Sequence, residues 1–422
     1  MKLKKYTQEG EFVKYWHNGE DIDVPEYVYR EDDMRAAWVS NVANIDTPRG
    51  LSEEDYKKAL VRIIETAAEY NMNALVFQVR PTNDAYYPSK LNPWSRFITG
   101  VEGQDPGFDV LQFVIDEANK HGIRIHAWMN PYRVGMKPID EFGSKEAYLE
   151  TLHENNWARL HPEHTILDGL KKVILSPSHP EVIEFVTDTI MEVVNNYDVD
   201  GVHIDDYFYP YAKIADEAEQ EDYLKYRESE NQSMDDFRRM NVDKMIKSIH
   251  DAMKNSLNKK GNKIEFGISP FAIYRSHISI DPETGWEKGS YHSKGVLQCY
   301  LGLYSDIYRW MKEGWIDYVV PQLYFPFERP DVTYHDLTLW WSNIAKETNT
   351  KLYTGNAIYQ MGAQDKKEWA NPEEIKNQLS FNSQFDNIKG SVFFTFRDFF
   401  KGENEVKNAA LDTIKELWCK EK

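Results

Sequence analysis

Eight short apolar runs of strand character, amphipathic helical segments between them, and polar and aromatic residues gathered where those runs end predict an α/β chain. The expected fold is a (β/α)8 TIM barrel with long loops at the C-terminal face of its strands. Strands alternating with helices pair in parallel, and eight such units close more readily than they spread into an open sheet. The open doubly wound alternative lacks the Gly-rich strand-to-helix turn of dinucleotide and P-loop sites.

The strand candidates are RAAWVSN (35–41), ALVFQVRP (74–81), IRIHAWMNP (123–131), GVHIDD (201–206), IEFGISPF (264–271), IDYVVPQLY (316–324), KLYTGNA (351–357) and SVFFTFRD (391–398). Among the helices, 52–70 opens on Ser52 as N-cap with acidic residues in its first turn, and 179–197 carries Pro180 at its start. Residues 108–122, 233–255 and 408–420 repeat the helical spacing. No repeat or low-complexity linker divides the chain, so a polar leader over 1–33 and one catalytic domain over 34–422 are expected.

The chain has 422 residues, 41% of them hydrophobic, enough for a full core. Its net charge of −19 argues against nucleic acid and anionic membranes as partners. Twelve Trp and 26 Tyr suit the stacking of sugar faces, although a large core also uses them. Two cysteines, Cys299 and Cys419, make a disulfide framework unexpected. The lysine-led N-terminus has no apolar stretch of signal-peptide type, and no run is long enough to cross a bilayer. A cytoplasmic protein is expected, or else an exported or envelope protein whose leader has been removed.

In a barrel the functional groups belong at the C-terminal strand ends. Those ends carry Ser40 and Asn41; Gln78, Arg80, Asn83 and Asp84; His126, Trp128, Asn130, Tyr132 and Arg133; His203, Asp205, Asp206 and Tyr207; Ser269, Tyr274 and Arg275; Gln322 and Tyr324; Asn356 and Tyr359; Arg397 and Asp398. The stretch GVHIDDYFYP is the most informative, because adjacent carboxylates raise each other's cost of ionisation. Alternation points His203 and Asp205 into the barrel and Val202 and Ile204 toward the helices, with Asp206 at the rim. The pair either caps a turn and binds an arginine such as Arg80 or Arg275, or it does chemistry.

A metal site from His126, His203 and Asp205 is disfavoured, since the third strand reads HAW where paired histidines are needed; no metal and no cofactor are expected. There is no nucleophile elbow for serine catalysis. Carboxylate chemistry among aromatic residues remains, and its commonest use is glycoside hydrolysis of an oligo- or polysaccharide. Trp94, Trp128, Tyr207, Tyr209 and Tyr324 are the candidate sugar platforms, and Arg80 and Arg133 the candidate carboxylate readers.

The blocks FQVRPTNDAYYPSKLNPWS, HAWMNPYR, YDVDGVHIDDYFYP, FGISPF and WIDYVVPQLY resemble, in order and spacing, the bacterial glycosyl-hydrolase-like family ten, formerly domain of unknown function 187. The similarity runs from about Arg35 to about Asp398. It implies a (β/α)8 barrel hydrolysing an amino-sugar glycan of the bacterial envelope, peptide-free peptidoglycan strands above all. It also implies Asp205 and Asp206 as the catalytic pair, with Arg80, Asp84, His126, Asn130, Tyr207 and Gln322 around them. The stretch LSPSHPEV (175–182) departs from the Asn-Pro-Gly type of turn common in that family. Two mechanisms stay open: attack by the substrate's own acetamido oxygen, with Asp205 orienting it and Asp206 as acid or the reverse, and a retaining mechanism with Asp205 as nucleophile and Asp84, Glu328 or Asp398 as acid. A barrel that binds glycans without cleaving them is the alternative function.

Overall fold

The structure, a computed structural model, describes residues 1–277, 287–293 and 295–419. All eight strand candidates form: β1 (Met34–Val39), β2 (Ala74–Arg80), β3 (Arg124–Met129), β4 (Gly201–Ile204), β5 (Glu265–Ile268), β6 (Tyr318–Val319), β7 (Lys351–Ala357) and β8 (Ile388–Phe394). Each pairs in parallel with its neighbours in sequence, and β8 closes the barrel on β1 through Met34 opposite Gly390.

One main helix follows each strand: α1 (Glu53–Glu69), α2 (Val110–Lys120), α3 (Pro180–Asn196), α4 (Met234–Met253), α5 (Ile307–Lys312), α6 (Tyr334–Thr348), α7 (Glu374–Asn382) and α8 (Glu405–Trp418). Their starts follow elementary capping. Ser52, Asp109, Ser233 and Asn404 accept the amides of Asp55, Gln112, Asp236 and Lys407, and α3 begins on Pro180, whose missing N–H costs nothing at that position. Lys420, in the expected last helix, lies outside the described residues. An antiparallel hairpin of Thr165–Leu167 with Val173–Leu175 was not expected, because three-residue strands leave no period to read.

Two apolar cores result from strand alternation. The interior is filled by Met34, Ala36 and Trp38 of β1, Ala74 and Val76 of β2, and Trp128, Tyr318, Val320, Tyr353 and Val392; the larger core lies between the strands and the helices. Space for the large interior rings comes from glycines. A methyl group at Gly201 would lie 2.4 Å from His126 Nδ1, and one at Gly267 would lie 2.0 Å from the Tyr318 ring. The leader folds into short antiparallel bridges and docks on the start of α6, where Asp336 accepts the Trp16 amide at 3.1 Å and faces His17 Nδ1 at 3.0 Å.

Gly267→Ala drives a methyl group into a ring enclosed by the barrel, so it is expected to cost more than about 2 kcal/mol of stability, read as a lower midpoint in urea unfolding.

Candidate active site

The strand β4 ends at Ile204 because Asp205 turns the chain. Its Oδ1 accepts the amide of Tyr207 at 2.9 Å, a local side-chain turn that lifts the aromatic loop off the sheet. Within that loop Phe208 packs edge-on against Trp310 and Tyr209 donates to the buried Glu219 at 2.8 Å, so these two rings anchor it. Tyr207 and Tyr211 are left half exposed over the barrel mouth.

Both aspartates line one cavity of about 320 Å³, yet only 4% of Asp205 and 3% of Asp206 is exposed. Trp38, Trp128, Tyr207, Tyr211, Tyr324 and Phe394 supply its rings; Ser40, Arg133, Ser269 and Gln322 supply its remaining polar groups. Oδ2 of Asp205 accepts Trp128 Nε1 at 3.1 Å and Asn130 Nδ2 at 2.6 Å. Asn130 is held in turn by Gln78 Nε2 at 2.6 Å, and Gln78 accepts the Asn41 and Val42 amides, tying the loops after β1, β2 and β3 together. Asp206 accepts the Tyr211 hydroxyl on Oδ2 and Gln322 Nε2 on Oδ1 at 3.0 Å.

These surroundings separate the two acids. Burial, reinforced by the charge of Asp205, pushes Asp206 up to about 7. Burial also raises Asp205, but the Arg133 guanidinium and the donors from Tyr207, Asn130 and Trp128 act against it. Burial thus raises both carboxyls, and the surroundings oppose the rise more strongly at Asp205 than at Asp206.

Of the expected site residues, Trp128, Arg133, Tyr207, Gln322 and Tyr324 reach the cavity with the aspartates. Asn130 stands behind Asp205, and Tyr132 lines an adjoining cavity of about 250 Å³ that shares Arg133, Met136, Tyr207 and Tyr211 with the first. The other five belong to the scaffold. Arg80 is buried and donates to the carbonyls of Asn130 and Pro131; Asp84 accepts Ser95 Oγ at 2.7 Å within the loop after β2. His126 lies deep in the barrel, 2.9 Å from the Tyr318 hydroxyl, and burial pulls it down to about 3.

His203 sits one layer below the acids. Its Nε2 accepts Trp38 Nε1 at 3.2 Å, which leaves Nδ1 to donate to Tyr318 at 3.1 Å. Asn356 points outward to Tyr334 and Gln378, because Gly355 takes the inward position of β7 beside Trp38. Of the expected platforms, Trp94 and Tyr209 lie away from the cavity. Trp38, Met136, Tyr211 and Phe394 were not singled out as site residues; Tyr211 alone had a signal, as the last ring of the YFYPY run.

The three alternative acids are engaged elsewhere: Asp84 as above, Glu328 by the amides of Tyr6 and Thr7, and Asp398 by Lys407. Among the described residues, the groups spaced to hold a cation are His161, Glu163 and His164, and His164, His179 and Glu181, outside the cavity.

Residues 33–371 match the family described as glycosyl hydrolase-like 10. The chain belongs to that family. Glycosyl hydrolase YngK of Bacillus subtilis (strain 168) is 37% identical over 394 residues, 92% of this chain and 73% of YngK. Glycosyl hydrolase DigH of Escherichia coli (strain K12) is 34% identical over 382 residues, 86% of this chain and 82% of DigH. These relationships identify a glycoside hydrolase. The barrel itself is similar to that of alpha-L-fucosidase isoenzyme 2 from Paenibacillus thiaminolyticus, with a TM-score of 0.53 at 11% identity, covering 92% of this chain and 49% of that one. No helix among the described residues is long and apolar enough to cross a membrane.

A carboxyl raised in the folded state favours the native fold while protonated, and that advantage is lost as pH rises from the ordinary carboxylate range through about 7. Asp206→Asn removes the titration, so the variant is expected to gain stability over wild type at pH 8, by about 1–3 kcal/mol, and to gain little at pH 4. Chemical denaturation at both pH values reads the difference.

Proposed function

We propose that the enzyme cleaves glycosidic bonds in an amino-sugar-containing bacterial glycan, with peptide-free peptidoglycan strands as substrate and Asp205 and Asp206 as its catalytic pair. The observation that carries this reading is the contrast within one aromatic-walled cavity: burial and the neighbouring charge raise Asp206 to about 7, while Asp205 is surrounded by donors and a guanidinium. A general acid needs the first and a carboxylate that orients or stabilises needs the second.

The 2-acetamido group of the sugar at the cleavage site lies against Asp205, whose carboxylate accepts its N–H and turns the carbonyl oxygen toward the anomeric carbon. That oxygen attacks as the glycosidic bond breaks, and Asp206 gives its proton to the departing oxygen. Water, deprotonated by Asp206, then opens the cyclic intermediate and restores both groups. Adjacent acids suit this route because the nucleophile belongs to the substrate, and because Asp84, Glu328 and Asp398 are occupied in the scaffold. Tyr207, Trp128 and Tyr324 offer ring faces to the sugars, and Arg133, stacked 4.3 Å from the Tyr207 ring, faces the lactyl carboxylate of a muramic acid unit.

Wild type incubated with peptide-free glycan strands is expected to yield shortened saccharides by mass spectrometry, with Asp205→Asn and Asp206→Asn each lowering kcat by about 10²–10⁴-fold. Strands that bind but remain intact with wild type would overturn the hydrolytic reading for this substrate.

Activity is further expected to fall as pH rises through about 7, where Asp206 loses its proton. The Tyr211 hydroxyl hydrogen-bonds Asp206 and favours its ionised form, so Tyr211→Phe should move that limb to higher pH. A kcat/KM profile whose alkaline limb stays in place in the variant would contradict the assignment of Asp206 as the acid.

A further inference from the structure

The stretch LSPSHPEV places His179 directly before α3. Fifteen residues earlier in the chain, His164 ends the turn that leads into the hairpin, and the fold brings the two rings together with His164 Nδ1 and His179 Nδ1 3.1 Å apart. Two nitrogens bound to one tetrahedral zinc ion stand about 3.3 Å apart, given bonds of about 2.0–2.1 Å. The outer nitrogens of both rings meet carboxylates: His179 Nε2 lies 3.2 Å from Asp222 Oδ2, and His164 Nε2 lies 3.5 Å from Glu163 Oε1. A carboxylate on the far nitrogen is the usual support of a metal-binding imidazole, since it favours the tautomer whose inner nitrogen offers a lone pair; without an ion one Nδ1 donates to the other, and an ion would replace that proton. A third ligand is at hand in Glu181, whose Oε2 is 4.0 Å from His179 Nδ1.

We propose that His164, His179 and Glu181 form a site for a divalent transition-metal ion of the zinc class, with water in the fourth position. The ligands are held before any ion arrives. The Ser176 amide donates to the His164 carbonyl at 2.8 Å, Trp157 stacks on the His164 ring with planes 21° apart, and the His179 carbonyl accepts the Val182 amide at the start of α3. Both histidines are about one-seventh exposed, open enough for an ion to enter and covered enough to strengthen its hold. Such an ion would clamp the two ends of the hairpin, where Thr165 pairs with Leu175. The turn of that hairpin, through Leu170 and Lys172, and Ile174 on its second strand wall the cavity beside Arg133, so the clamp would stiffen one side of the glycan cleft.

The untagged chain, stripped with EDTA and dialysed, would be titrated with Co²⁺ and followed by its visible d–d absorption, and with Zn²⁺ by calorimetry. The expected result is one ion per chain, with Co²⁺ bands of tetrahedral intensity. His164→Gln and His179→Gln should each weaken binding more than about tenfold, and Asp222→Asn, which touches a ligand rather than the ion, by about 10–100-fold. His121→Gln, on the exposed end of α2, should leave binding unchanged. Should a histidine variant fail to fold by circular dichroism, Glu181→Gln, whose side chain is 56% exposed, still tests the assignment by the same loss. Absence of stoichiometric uptake by wild type, or uptake that the ligand variants retain, would overturn the site, whichever glycan the enzyme cleaves.

Discussion

Two neighbouring carboxylates held out of water are the constraint around which the barrel mouth is arranged. Burying either as an anion is costly, and burying both as anions is worse, because each raises the other. The protein meets this asymmetrically. Asp205 receives a backbone amide, an indole, a carboxamide and the field of Arg133, whereas Asp206 receives one hydroxyl and one carboxamide. The donors come from different strands: Trp128 and Asn130 from the end of β3, Gln322 from beyond β6, Tyr211 from the loop after β4. Only a closed barrel brings those ends within reach of one strand's terminus.

Beneath the acids lies a polar layer, where the strand ends promised groups for the substrate. Tyr318 stands between His126 and His203, and Trp38 and Ser269 meet His203 from the other side. Each of these groups would be expensive to bury alone; linked through Tyr318 and Ser269 they share most of their donors and acceptors, with His126 Nε2 left unpartnered, and they give the floor of the site a fixed shape. Burial holds both imidazoles neutral, which suits a supporting layer better than proton transfer. Gly201 and Gly267 make the layer possible by yielding the volume the rings occupy.

The eight strands were legible because each alternates or runs apolar over several residues and stops at a polar cluster, and the outcome at GVHIDD follows from a period of two. What the sequence could not convey was which alternate set of some strands faces inward, and where side chains point beyond the strand ends. Asn356 and Gly355 are adjacent, and only the register shows that the glycine faces inward beside Trp38 while the asparagine binds Tyr334. Phe208 and Tyr209 sit between Tyr207 and Tyr211 in one aromatic run, yet the inner two anchor the loop and the outer two face the cleft. The pairing of His164 with His179 was equally hidden, because it depends on a hairpin whose strands are too short to carry a pattern.

Arg80 shows how a buried cation can shape a cavity wall from behind. It lies fully inside, with its guanidinium on the carbonyls of Asn130 and Pro131 and on the side chains of Asn83 and Asn92. Burial draws it down to about 10, still well above neutrality, so it remains a cation among neutral acceptors. That is an expensive arrangement to maintain, and its effect is to set the exit of β3, the segment that aims Asn130 at Asp205 and carries Arg133 to the wall of the cleft. Lysine could not span the same acceptors, because the contacts use the separate nitrogens of a planar fork. The setting of Asp205 thus depends on a cation that never touches it, through the backbone it holds in place.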